Sequence, residues 1–292
     1  MAIFKFNYDK EGKGIDKNAP EKNIFYTYFE SFIRNFWNLI KVNFIYVAAS
    51  IPMLLILGAI FAGFVYPNIS GQVTEYIAKS GIAEPTQAEA TYIGVFMSLF
   101  VTELLLIIGS GPASAYFAYA AKCMATEEHV WIWSDFKNKF KENFKQSMIV
   151  SIIDIVVVTL LIFSTFFYTS AYAGTGNILF FVMRTLLFVV AILYCFMHGY
   201  IYQFMVTFEN KLSVIYKNAF IMAVAKLPQN LFCTAVSVLF TYFVFTVLNP
   251  VFSIILLFVI WYALMRYPME FCAARSIKKL IIDKQPEKGL ED

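Results

Sequence analysis

Long apolar runs alternate with short polar connections in this chain, and almost all of the positive charge falls on every second connection. A helix needs about 20 apolar residues to cross the hydrocarbon of a bilayer. Runs of that kind occupy Val42–Tyr66, Thr91–Ala121, Met148–Ala171, Ile178–Phe208, Leu231–Leu248 and Val251–Tyr267. Of the 23 lysines and arginines, all but Lys79 and Arg184 lie before the first run, between the second and third, between the fourth and fifth, or from Arg266 onward. Basic residues are retained on the cytoplasmic side. The pattern therefore predicts an even number of spans with both termini cytoplasmic.

Composition agrees. The chain is 60% hydrophobic and 15% charged, against about 45–50% and about 25% for an ordinary soluble domain. Such a chain is solvated by lipid rather than folded around one aqueous core. The expected fold is an all-α polytopic membrane protein with six transmembrane helices arranged as three hairpins. Residues 1–23 read as a cytoplasmic tail, 24–274 as the membrane domain and 275–292 as a second cytoplasmic tail. Residues 67–90 form the one sizeable outer loop, and Asn249-Pro250 makes a tight turn between the last two spans. The polar, lysine-rich N-terminal stretch lacks an apolar core and cleavage site, so the first span acts as the insertion signal. Cys123, Cys195, Cys233 and Cys272 are scattered, with no CxxC spacing, and the histidines are His129 and His198. Neither disulfides nor a metal site nor any other cofactor is expected.

A weak repeat precedes alternate spans: FIRNFWNLIKVNF (Phe32–Phe44), DFKNKFKENFKQS (Asp135–Ser147) and YKNAFIMAVAKLPQNLF (Tyr216–Phe232). Each is aromatic and basic, contains Asn and leads into a hairpin. The expectation is three units, each an interfacial amphipathic helix (about 24–41, 130–146 and 211–226) followed by two spans. In the middle unit Phe136, Phe140 and Phe144 recur every fourth residue on one face. Lys137, Lys141 and Lys145 run beside them, with Trp131, Trp133 and Asp135 at the head of the segment. That pattern suits a helix lying on an anionic inner leaflet and touching lipid or a protein partner.

Charged groups within spans are the default functional candidates. These are Glu103, Asp154 and Arg184, with His198 added. A Glu103–Arg184 ion pair and an Asp154–His198 pair would account for them as packing devices; a proton or solute path through Glu103, Asp154 and His198 is the functional alternative. The break at Gly109, Gly111 and Pro112 also has two readings: a kink for close helix packing, or an unwound binding element. No metalloprotease, serine-hydrolase or phosphate-loop signature occurs. No enzyme is expected, and the basic surface is better explained by lipid headgroups than by nucleic acid.

Three stretches carry a family resemblance: FWNLIKVNFIYVAASIP with its Ser-x-Pro step, GPASAYFAYAAKCM, and TEEHVWIWSDFKNKFKENFKQS. Here the chain resembles the YesL family of bacterial integral membrane proteins, also called DUF624. The N-terminal stretch is similar to that of longer clostridial-type members. The resemblance implies a bacterial plasma-membrane protein linked to carbohydrate uptake, since its members are typically encoded beside sugar ABC importers. On that basis the chain is expected to be an accessory or regulatory subunit, contacting permease and ATPase subunits through Trp131–Lys145. A stand-alone transporter or channel and a structural or lipid-interacting protein are the other classes it could occupy.

Overall fold

The computed structural model describes residues 23–60, 111–247, 252 and 255–283. Among these residues the protein is helical, with no strand. The elements are α1 (Ile24–Arg34), α2 (Phe36–Ile60), α3 (Gly111–Thr126), α4 (Ile132–Glu142), α5 (Phe144–Thr175), α6 (Ile178–Thr207), α7 (Leu212–Ala225), α8 (Leu227–Val247) and α9 (Tyr262–Ile277). Two π-helical turns, Leu257–Trp261 and Lys278–Ile282, flank α9. Glu103, Gly109, the outer loop 67–90, the Asn249-Pro250 turn, residues 1–22 and residues 284–292 lie outside the described residues.

Helices α5 and α6 are each long and apolar enough to cross a membrane, and α7 with α8 passes as one broken span bent by 83°. At about 1.5 Å per residue, the 32 residues of α5 exceed a hydrocarbon core of about 30 Å. The helix therefore tilts or projects. Leu160, Phe163 and Phe167 on α5 and Leu186 and Phe188 on α6 are exposed, as lipid-facing side chains must be. The protein is thus a membrane protein by both length and surface.

Three helix pairs share one local construction. α1–α2, α4–α5 and α7–α8 are each interrupted at a single residue: Asn35, Asn143 and Lys226. The φ/ψ values there are −103°/12°, −95°/4° and −110°/25°, in the sparsely used bridge region. The following helix restarts on the carbonyl of the break residue, which accepts from Leu39, Ser147 and Asn230 N–H at 2.8, 2.9 and 2.9 Å respectively. Asn35 and Asn143 add a side-chain bond from Nδ2 to the carbonyl four residues back, Ser31 at 3.0 Å and Lys139 at 3.1 Å. A short amide suits this position because it hydrogen-bonds locally where the helix ladder is broken. The amphipathic segment expected over 24–41 is consequently divided: α1 stops at Arg34 and α2 takes up the chain from Phe36.

The helices that follow these pairs, α3, α6 and α9, meet in the middle of the molecule, each packing on the other two. The short helices surround them. α4 lies on α3, α7 on α6, and α1 on both α9 and α3, so each touches the central helix of the preceding unit and α1 closes the circle. Ser31 fastens that closure: its hydroxyl donates to Met124 O at 3.0 Å and lies 2.7 Å from Tyr267 Oη.

The long helices repeat the relationship. Asn43 and Ser151 stand at the same register, eight residues after their breaks. Asn43 Oδ1 accepts from Ala263 N at 2.9 Å, and Ser151 Oγ accepts from Gly111 N at 2.8 Å. Gly111 is required by this approach, since a Cβ there would sit 2.4 Å from Ser147 O and 2.5 Å from Ser151 Oγ. Gly111 and Pro112 are therefore part of a helix pressed against α5. Behind them Ala113, Ala115, Ala118, Ala120 and Ala121 are buried, small residues that let backbones come close.

Candidate functional site: a sealed polar centre and an exposed aromatic–basic helix

The three central helices bring polar side chains to one buried point. Gln203 on α6 donates through Nε2 to Ala118 O on α3 at 2.9 Å and to Glu270 Oε2 on α9 at 2.6 Å, which uses both amide hydrogens. Glu270 Oε1 accepts from Arg266 Nε at 2.7 Å. Arg266 Nη1 donates to Ser114 Oγ at 2.8 Å and to the Tyr262 hydroxyl. The guanidinium also lies over the rings of Phe117, Tyr202 and Tyr262, with its carbon 5.7, 5.1 and 5.7 Å from their centroids. Glu270 is 0% exposed and Arg266 8%. A charge taken out of water is tolerated only when paired and hydrogen-bonded. Here an ion pair one turn apart on α9 is completed by α3 and α6, so the three helices share the work of solvating it.

A second cluster joins α5 to α6. Asp154 Oδ1 accepts from the Tyr194 hydroxyl at 2.5 Å, and Asp154 Oδ2 lies 3.1 Å from His198 Nε2. The expected Asp154–His198 pair is therefore present, with Tyr194 as a third member that the sequence reading did not include. Asp154 is 0% exposed. The His198 ring meets Tyr202 edge-on at 5.0 Å, and Tyr202 carries the Arg266 guanidinium on its face, so one aromatic ring separates the two clusters. Arg184 stands over the Phe181 ring at 5.2 Å and is half-buried; its expected partner Glu103 is outside the described residues.

Arg266, Glu270 and Gln203 were not legible as a site. Arg266 reads as part of the basic C-terminal stretch, and Gln203 is an uncharged residue in an apolar run. The one available signal was the Arg-to-Glu spacing of four, which places opposite charges on one helix face.

Helix α4 is built differently, with no buried residue. Asp135 Oδ2 accepts from Trp131 N at 2.8 Å and so caps the start of the helix. Phe136 faces inward, its ring 5.2 Å from that of Tyr116, whose hydroxyl donates to Ile132 O at 3.0 Å. Phe136, Phe140 and Phe144 form a ladder with centroids 5.2 and 5.8 Å apart. Trp131 and Trp133 remain 67% and 61% exposed. Lys137, Lys141 and Lys145 are exposed as well, and Lys137 Nζ lies 5.6 Å above the Trp133 ring.

Among the described residues no group of three or more His, Cys, Asp or Glu side chains is placed to hold a metal ion. Burial pushes the Cys123 thiol up to about 11, so it is protonated at neutral pH and a poor nucleophile.

Residues 91–165 match the family model described as "Protein of unknown function, DUF624". The match takes in α3, α4 and most of α5, with Gly111-Pro112, the aromatic–basic helix and Asp154, and stops short of α6 and α9. No curated protein and no solved structure matches the chain.

Proposed function

We propose, for this chain with its DUF624 region, an accessory or regulatory integral membrane subunit that works by contact rather than by catalysis. The observation that carries this reading is a contrast. The buried titratable groups Asp154, His198, Arg266 and Glu270 are tied to one another and to neighbouring side chains, whereas α4 and the residues flanking it hold Trp131, Trp133, Lys137, Lys141 and Lys145 outward. The topology proposed with it is six spans as three hairpins, in a bacterial plasma membrane, with both termini cytoplasmic. Its support is the placement of basic residues and the shared construction of the three helix breaks. On that topology α4 lies against the inner leaflet, where each lysine near an anionic surface adds about 1 kcal/mol and Trp133 anchors at headgroup level.

The partner proposed is a carbohydrate ABC importer. That association comes from the resemblance to the YesL family, and α4 is the surface through which permease or ATPase would be met. Purification of native complexes in mild detergent tests it. Permease and ATPase subunits should accompany the wild-type chain and be lost when Trp131 and Trp133 are replaced by Ala. A preparation that reproducibly lacks both subunits overturns the importer reading and leaves a lipid-interacting protein. A solute path would instead require Asp154 and His198, so liposome flux that disappears in Asp154→Asn would return the protein to the transporter class.

A further inference from the structure

A cavity of about 630 Å³ opens where the ends of α3 and α9 meet the start of α1 and the α7–α8 break. Its size falls in the range of small-molecule sites, about 300–1,000 Å³. Lys226, Arg275, Lys278 and Lys279 line it together with Glu30, Glu127 and Asp283. These charges do not simply cancel. Glu127 is held by Arg34 at 3.5 Å, and Glu30 and Lys279 are each engaged in contacts of their own. Arg275 commits Nε to Ala125 O at 3.2 Å and has no other side-chain hydrogen bond among the described residues. Lys226 and Lys278 make no side-chain hydrogen bond or ion pair there at all. The uncommitted charge is two amines and part of a guanidinium, facing one carboxylate, Asp283.

Two backbone irregularities border the same cavity. Glu127 adopts a left-handed φ of 66°, a conformation that disfavours side chains other than those of Gly and Asn. The π turn Lys278–Ile282 begins with the two lysines that line the opening. Features of both kinds persist where function selects for them.

We propose that this cavity binds a phosphate group, carried by a lipid headgroup or by a free phosphate ester. Lys226, Lys278 and Arg275 supply the cations. Tetrahedral phosphate oxygens accept several charge-assisted bonds at once, and the neighbouring Ser276 hydroxyl can donate to the same group. The inference does not depend on the importer association.

Purified full-length protein in detergent provides the test, with melting temperature as the readout. It is titrated separately with dioctanoyl phosphatidic acid, glycerol 3-phosphate, and dioctanoylglycerol as a phosphate-free control. The phosphorylated compound that occupies the site raises the melting temperature and dioctanoylglycerol does not. A response to phosphatidic acid alone assigns the group to lipid, and a response to glycerol 3-phosphate assigns it to a free ester. Lys226→Gln with Lys278→Gln should weaken binding by about tenfold or more, while Lys211→Gln with Lys217→Gln, exposed lysines outside the cavity, leaves it unchanged. Lys278 is exposed, so Lys278→Gln alone keeps the fold and should still weaken binding. The proposal is overturned if neither phosphate compound binds, if dioctanoylglycerol does as well, or if the Lys211/Lys217 and cavity variants lose affinity equally.

Discussion

Gln203 and Glu270 meet side chain to side chain at 2.6 Å across the α6–α9 contact, and the same Gln203 amide reaches Ala118 O on α3. A single neutral residue thus joins all three central helices while holding the carboxylate that neutralises Arg266. The centre of the molecule is an ion pair with a shared ligand, and its members depend on one another.

That dependence sets the outcome of breaking it. Glu270→Leu leaves the Arg266 charge buried and unpaired, which costs about 3–5 kcal/mol. Arg266→Met combined with Glu270→Leu removes both charges and should recover a large part of the loss, though Gln203 keeps one unused donor. Melting curves of purified protein in detergent compare the two. A double variant no more stable than Glu270→Leu would show that the charges themselves are not what the centre is built around.

Gly111→Ala tests the approach of α3 to α5. The added methyl meets Ser147 O, a backbone atom that cannot turn aside, so the helices must separate at a cost of about 1–3 kcal/mol. Adding Ser151→Ala removes the other close atom but not the carbonyl, and the double variant should remain as unstable as Gly111→Ala. Rescue by Ser151→Ala would mean that the side chain, not the backbone, sets the spacing.

The equivalence of the helix breaks can be read from paired substitutions. Asn35→Ala and Asn143→Ala each remove one bond to the carbonyl four residues back, and each should lower stability by about 0.5–1.5 kcal/mol. Lys226→Ala removes no such bond and should cost less. Chemical denaturation of the three variants checks the order; equal losses at all three positions would contradict it.

Asp154 is expected to behave as an acceptor first and a charge second. Asp154→Ala leaves the Tyr194 hydroxyl and His198 without their partner, at about 1–3 kcal/mol for each stranded group. Asp154→Asn keeps an oxygen for Tyr194 and should be distinctly milder. Thermal unfolding that finds Asp154→Asn as unstable as Asp154→Ala would indicate that the charge interaction with His198, which both variants lose, dominates.

Much of the scaffold was readable before any coordinates. The six apolar runs, the three aromatic–basic segments and the small-residue run after Pro112 are local properties of composition and spacing. Helices α5, α6 and α8 fall on the expected runs to within a few residues. The Asp154–His198 pair was legible too, because polar residues within apolar runs have few places to go other than each other. The single-residue breaks were not: an Asn within an amphipathic segment reads as a polar position on a continuous helix, and only the bridge-region backbone at Asn35 and Asn143 reveals an elbow.

The sequence by itself determined that this is an all-helical membrane chain. Run length and hydropathy are sufficient for that when the solvent is lipid and every backbone group must be satisfied within its own helix. Only the tertiary structure decided that α3, α6 and α9 share one centre, and that Arg266, Glu270 and Gln203 solvate each other there. Arg266 is 152 residues from Ser114, and Gln203 is 67 from Glu270. No local periodicity records a partnership over that distance; it exists because three helices packed around small residues bring donors and acceptors from all three to one buried ion pair.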